Sequence, residues 1–354
     1  MRTSIAITLL LCASTVAADG RFIELQTAGI QASAVAGNGR YVSAQDYGAT
    51  GLRWSAADDS EIPVPGIQGA IGVNDSGTIA GTVFVDGGAY AGGQHVAAIA
   101  AIGAQPLQLD RRLATHSIAF DLSDDGVVVG QSFGSPTGED AVAFLWTAAD
   151  GMSALPVPRP QHPSCATSIS ADGRVIAGWN GTDGGMQQGV VWIDGVPTDI
   201  VDAHDIAVGE AWNVSDDGSH VVGGRYTDIE GASGGWRWNA ASGVVGIPGM
   251  SFATGVSGDG RTVVGGTDPF AEPTLPIRSL VWREGIGTVE LEAYLAEIGI
   301  DVPAGWSFGQ GLSDISADGD VLAGWGIGPL GLQSYVVRIV GDAIFDDGFD
   351  PDGR

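Results

Sequence analysis

Two segments carry the Gly-x-Ser-x-Gly spacing that can mark a hydrolase nucleophile: Gly130-Gln131-Ser132-Phe133-Gly134 and Gly305-Trp306-Ser307-Phe308-Gly309. That chemistry needs the serine on a sharp turn between a strand and a helix, where its hydroxyl stands clear of the sheet. Pro136 and Gly138 follow the first segment, and a strand pattern, Leu312 to Ile315, follows the second. Neither context builds the turn, and in a chain with 57 glycines such spacing arises by chance.

His162-Pro163-Ser164-Cys165 puts an imidazole near a thiol, a pairing that can activate sulfur as a nucleophile. Cys165 stands just ahead of a strand pattern, where a buried, inert cysteine is the common case. Asp202-Ala203-His204-Asp205 offers oxygen and nitrogen donors, but surface carboxylates beside a lone His are commonplace and select no particular metal. Asp172, Asp217, Asp259 and Asp318 recur along the chain, yet lack the alternating ligand spacing of a calcium loop. No catalytic residue, metal ligand or cofactor is therefore expected.

The recurring aspartates point instead to the elements that hold them. Each belongs to a repeat in which an apolar run with Ser leads to Asp-Gly, then to β-branched residues ending in Gly. Ile169-Ser170-Ala171-Asp172-Gly173-Arg174-Val175-Ile176-Ala177-Gly178 is one copy, and Leu122-Ser123-Asp124-Asp125-Gly126-Val127-Val128-Val129-Gly130 is another. The shared glycine falls at 39, 77, 126, 173, 218, 260 and 319, giving gaps of 38, 49, 47, 45, 42 and 59. Asp-Gly between β-prone runs is a tight hairpin, because the turn needs positive φ and Gly supplies it without a Cβ clash. Some twenty residues after the turn comes a third run ending in an aromatic, Trp54, Trp146, Trp192, Trp238 or Trp282; Ile99 and Arg338 stand near that place in the other two units. With a fourth run after it, each unit has the four short strands of a propeller blade.

The termini decide how the units assemble. The last unit supplies only three strands, finishing with Tyr335-Val336-Val337-Arg338-Ile339-Val340, while Arg21-Phe22-Ile23-Glu24-Leu25 is left over at the start. Pairing the two closes a ring with no exposed sheet edge. The expected fold is thus an all-β, seven-bladed β-propeller over residues 19–341, closed by its N-terminal strand. The 59-residue gap holds Glu290-Leu291-Glu292-Ala293-Tyr294-Leu295-Ala296-Glu297-Ile298-Gly299, whose apolar spacing predicts one short inserted helix near 290–298. Residues 342–354, acidic and Gly-rich, are expected to form a flexible tail.

These repeats resemble the HAF-type extracellular repeat family of bacterial exported proteins. Residues 117–155 carry the likeness best, running from Ser117-Ile118-Ala119 through the Asp125-Gly126 turn to Val142-Ala143-Phe144-Leu145-Trp146 and Leu155. Residues 291–324 resemble the last repeats of such proteins, with Gly299-Ile300-Asp301, Gly305-Trp306 and Ile315-Ser316-Ala317-Asp318-Gly319. Val142 stands where the eponymous His would be, and the unit around Gly77 is degenerate. The resemblance implies secretion and repeats, and no known reaction.

Export is also read from the residues. Met1-Arg2-Thr3-Ser4 precedes a short apolar block, Ile5 to Ala13, and small residues Val16-Ala17-Ala18, which is the layout of a signal peptide cleaved near Ala18. The block is too short to cross about 30 Å of hydrocarbon, and no membrane span is expected elsewhere. Cys12 opens the alternative of lipid attachment, which Leu11 opposes because that position usually holds a small residue. Cleavage leaves Cys165 without a disulfide partner, so stability must come from packing. The net charge of −27, with every basic residue an arginine, repels phosphate backbones, so no nucleic-acid partner is expected.

In a propeller the Asp-Gly hairpins share one face, and the loops joining second to third strands share the other. Those loops, 83–93, 133–140, 180–188, 226–234 and 267–277, vary most, and function concentrates on loops held by a rigid scaffold. Trp179, Trp306, Phe308 and Trp325 stand near that face and are the candidate ligand-binding aromatics, with packing between blades as the competing fate. The expected function is a secreted or periplasmic, non-enzymatic and monomeric binding module for an extracellular glycan or protein. The alternatives are a polysaccharide hydrolase or lyase and a structural surface or matrix protein.

Overall fold

The protein is described by a computed structural model covering residues 20–45, 50–85, 93–135, 137–224, 234–267, 278–309 and 311–339. The leader, 1–18, and the tail, 342–354, lie outside the described residues.

Seven four-stranded antiparallel sheets form the blades of a β-propeller. Six are built from consecutive strands; in the seventh, the order outward from the centre is Leu312–Ile315, Val321–Gly328, Gly331–Arg338 and then Arg21–Ala28. The expected closure is present, with Arg21 opposite Arg338, Phe22 opposite Val337, Ile23 opposite Val336 and Glu24 opposite Tyr335. The inserted helix is Leu291–Glu297, between the sixth and seventh blades, and it buries Leu291, Tyr294 and Leu295.

The repeated Ser-x-Asp-Gly sequence folds as a wired turn. The Ser316 hydroxyl donates to Asp318 (2.6 Å) and accepts from the Val321 amide (2.9 Å), while the same carboxylate accepts from the Asp320 amide (3.0 Å). Ser170 with Asp172, Ser215 with Asp217 and Ser257 with Asp259 make the equivalent bonds. All seven turn glycines take positive φ, from 66° at Gly39 to 81° at Gly319. The aspartates are therefore turn elements, saturated by local donors.

The second motif glycine has a different cause. Every innermost strand carries a β-bulge, at Ser33, Ile71, Phe120, Thr167, Trp212, Thr254 and Ser313. The bulge pushes a carbonyl onto the second strand: a Cβ at Gly130 would lie 2.0 Å from the Ile118 oxygen, and one at Gly223 would lie 2.0 Å from the Glu210 oxygen. Only glycine accepts that approach.

The core lies between blades. Each cluster joins two neighbours, as when Val129 and Ala143 of the third blade pack with Ile169, Ile176 and Trp192 of the fourth. Register puts the third-strand Trp opposite a β-branched residue in five blades, among them Trp54 on Val42 and Trp192 on Ile176. Ala100 and Val337, one residue away from the expected Ile99 and Arg338, hold the equivalent places.

The closure strand packs into this scheme twice. Leu25 joins a cluster with Ile30, Val42 and Trp54 of the first blade and Val336 of the seventh. Phe22 stacks on Tyr335 (5.2 Å between centroids) and meets Trp306 and Phe308 edge-on. Because Leu25 is 1% exposed, Leu25→Ala is expected to cost about 2–5 kcal/mol of unfolding free energy. Urea unfolding checks this, and a loss under about 1 kcal/mol would mean the closure strand adds little.

Candidate functional site

The innermost strands surround a central channel of about 530 Å³. At its hairpin end the blades are tied edge to edge by short bonds: Ala317 N to Gly37 O (2.9 Å), Gly258 N to Ala317 O (2.8 Å), Ala171 N to Asp216 O (2.9 Å) and Asp124 N to Ala171 O (3.0 Å). Asn38 N to Asp75 Oδ1 (2.8 Å) and Asp75 N to Asp124 Oδ1 (3.0 Å) continue the girdle. Asp216 of the fifth blade reaches across this end, since a Cβ on Gly37 of the first blade would lie 2.4 Å from its carboxylate.

Further in, the bulged residues line the channel. Three of them use hydroxyls as staples to the next blade: Thr167 to Ala211 O (2.9 Å), Thr254 to Leu312 O (2.6 Å) and Ser313 to Ala32 O (2.7 Å). Phe120 and Trp212 hold the same position with side chains that cannot make that bond to a carbonyl in the same way. Trp212 is fixed otherwise, its Nε1 donating to Glu210 (2.7 Å) and its ring stacking on Phe252 at 5.7 Å.

The residue after the bulge is a second staple. Asp121 accepts from Ser168 Oγ (2.9 Å) and Ile169 N (3.0 Å), and Asp314 accepts from Val35 N (2.9 Å). Burial pushes the Asp314 carboxyl up to about 8 and the Asp121 carboxyl up to about 6, although the hydrogen bonds each accepts oppose the rise. Burial also lifts Asp216 to about 6, and the negative charges of Asp75, Asp124 and Asp217 add to it.

Of the four candidate aromatics, Trp179 is the one that lines the channel, half-buried near the end of Val175–Gly181 and so toward the loop-bearing mouth. Phe308 is a correction: it is 6% exposed and packs with Phe22 and Tyr335 in the closure seam, because the terminal strand needs aromatic partners there. Trp306 belongs to the same cluster, and its Nε1 donates to Glu24 (2.6 Å). Trp325 is half-buried, outside the channel lining. Of the variable loops, 180–188 is described throughout, and the rest fall wholly or partly outside the described residues. Phe120 and Trp212 escaped sequence reading, although aligning the repeats would show bulky rings where four units have Ser or Thr and the second has Ile71.

The other motifs resolve as structure. Ser132 is buried in a ladder and donates to His116 O (2.9 Å), while Ser307 is exposed and bridges to Ile327. Cys165 lies within the strand Ser164–Ile169, not ahead of it; burial, with the Glu210 charge, pushes its thiol far up, so no thiolate forms near neutrality. The His162 ring instead pairs with Asp183 (2.9 Å).

No family model matches the chain, and no curated protein does. Among solved structures, a TolB-like protein from Agrobacterium tumefaciens is similar over 90% of this chain and 91% of that chain, with a TM-score of 0.43 and 17% identity.

A carboxyl whose pKa is higher folded than unfolded binds protons more tightly when folded, so it favours the native state in acid. For Asp314 that contribution is complete below its ordinary 3.8 and is lost as pH climbs through about 8. Unfolding free energy measured from pH 5 to 8.5 should therefore fall more steeply in the wild type than in Asp314→Asn, the difference reaching a few kcal/mol. Parallel profiles would show that this carboxyl is not held protonated.

Proposed function

We infer that the protein is an exported, non-enzymatic binding module that takes its ligand in the loop-facing mouth of the central channel. The observation that carries this reading is the pair Phe120 and Trp212. Both occupy the bulge position that Thr167, Thr254 and Ser313 use to staple blades, and both present rings to the cavity instead. Departures from a repeat's own structural rule concentrate where function is served. Trp179 adds a third ring to the wall between them, beside the Gln131 and Gln187 amides. Rigid aromatics flanked by polar groups suit stacking against a sugar ring or a peptide side chain. The HAF-type resemblance of the repeats agrees with export, and export entails loss of residues 1–18.

A polysaccharide hydrolase or lyase is the second reading. Asp121 and Asp216, with pKa values near 6, and Asp314, near 8, are acids of the kind that protonate a leaving group. Against it, both oxygens of Asp121 and of Asp314 already accept hydrogen bonds within the ring. Such bonds fix those carboxyls as interblade staples.

Glycan and peptide arrays probed with the mature chain should show discrete positives that weaken about tenfold or more in Trp179→Ala and Trp212→Ala at unchanged melting temperature. Uniformly blank arrays would sink the binding reading, and polysaccharide turnover lost in Asp121→Asn would favour the enzymatic one. Intact mass of the protein recovered from an exporting host is expected to begin near Asp19; retention of residues 1–18 would remove export.

A further inference from the structure

The seam between the fifth and sixth blades departs from rules that other seams share. At the hairpin end, six seams carry a hydrogen bond from a turn amide of one blade to the turn of the next. Asn38 and Asp75 donate to the carboxylates of Asp75 and Asp124, Asp124 and Ala171 to the carbonyls of Ala171 and Asp216, and Gly258 and Ala317 to those of Ala317 and Gly37. Continuing that series, the Asp216 amide should donate to the Gly258 carbonyl; among the described residues the two make no such bond. The Gly258 oxygen meets the Ser219 hydroxyl instead, at 3.4 Å, which is long for a hydroxyl donor.

A second rule changes in the same place. At four seams an apolar side chain just after the turn packs on the turn glycine of the next blade. A Cβ at Gly77 would meet the Tyr41 ring at 3.0 Å, one at Gly173 a Val127 methyl at 3.6 Å, one at Gly218 a Val175 methyl at 2.9 Å and one at Gly39 a Val321 methyl at 2.8 Å. At Gly260 the neighbour is the half-buried His220 ring, closer than any of these. Its Nδ1 lies 2.7 Å from the Ser219 hydroxyl. Asp216 and Asp217 are on its own turn, Arg237 reaches it from the fifth blade's third strand, and Asp259 and Glu284 face it from the sixth blade, Glu284 paired also to Arg261. Arg237 clamps the same seam: it donates to the Gly260 carbonyl, pairs with Glu284 at 3.3 Å and stands 5.0 Å over the Trp282 ring.

We propose that this seam is a pH-responsive joint of the ring, closed by neutral His220 and loosened when acid turns that ring into a second cation beside Arg237. A neutral imidazole fills the space over Gly260 as valine does over Gly218. A charged one demands water and repels the guanidinium that holds the sixth blade's turn. Burial and the Arg237 charge hold His220 below its ordinary value, outweighing the carboxylates of Asp217, Asp259 and Glu284. The stabilisation is therefore complete above the ordinary 6.5 and is lost as pH falls. Asp216 works in the opposite sense: burial and its like-charged neighbours raise it to about 6, so its protonation favours the folded turn in acid. Val214, Thr254 and Val256 of the two blades line the channel, so loosening this seam opens the channel wall there while the other six bonds hold.

The test is amide hydrogen exchange of the mature chain read by mass spectrometry between pH 7.5 and 5, with exposure times scaled to the intrinsic exchange rate at each pH. Protection of the turns 215–220 and 257–262 is expected to fall about threefold or more on acidification, relative to the matched turns 170–175 and 316–321. In His220→Val, which installs the residue found at positions 175 and 321 and so should fold, the ratio is expected to stay constant. In Asp216→Asn the fall should persist or deepen, because the opposing carboxyl is gone. A constant ratio in the wild type overturns the proposal, and so does an equal fall in His220→Val. A fall that survives in His220→Val and vanishes in Asp216→Asn assigns the response to the carboxyl and overturns it as well.

Discussion

Completion of the seventh sheet by the strand Arg21–Ala28 is the contact on which the ring depends. A blade cannot bury its faces alone; each apolar cluster is shared with a neighbour, so the first and last blades need each other. Hydrogen-bonding the chain's start to its end satisfies an edge that would otherwise stand open. The aromatic seam of Phe22, Trp306, Phe308 and Tyr335 then fixes how the strand sits. Rings that look available for a ligand in the sequence are recruited to that seam.

Closure converts seven local bulges into one cavity. Within six blades the bulge is a small distortion that glycine on the second strand absorbs; in the first, Ala44 stands at that place. Around the ring, the bulged residues face a common axis, and their chemistry becomes collective. Hydroxyls there bond the next blade, and carboxyls one residue later bond its amides. Gly72 and Gly255 leave room for the neighbouring Asp121 and Asp314, so small and acidic residues are matched between blades that are distant in sequence. The resulting interior is acidic and aromatic on one side, and burial, which disfavours the charged form, pushes its Asp121 and Asp314 carboxyls above their ordinary range.

The motifs that suggest catalysis fail for reasons of placement. Ser132 cannot act as a nucleophile while its hydroxyl is spent on His116 O within a ladder, and Cys165 is held as a thiol by its surroundings. His162 turns to Asp183. Residue type was suggestive in each case, but neighbours set the protonation and the direction of the bond.

Blade number, strand order within a blade, the inserted helix and the closing strand were all legible in the residues, because Asp-Gly turns and β-branched runs are local signals with a fixed period. The Ser316 to Asp318 bond, too, follows from spacing alone, since its partners are two residues apart. What the tertiary structure decided was which side chains share the axis. Phe120, Asp216 and Asp314 are up to 194 positions apart and meet only because closure bends the sheets into a ring. Whether a Trp lines the cavity, as Trp179 does, or packs a seam, as Trp306 does, depends on the neighbouring blade, and no local pattern records that neighbour.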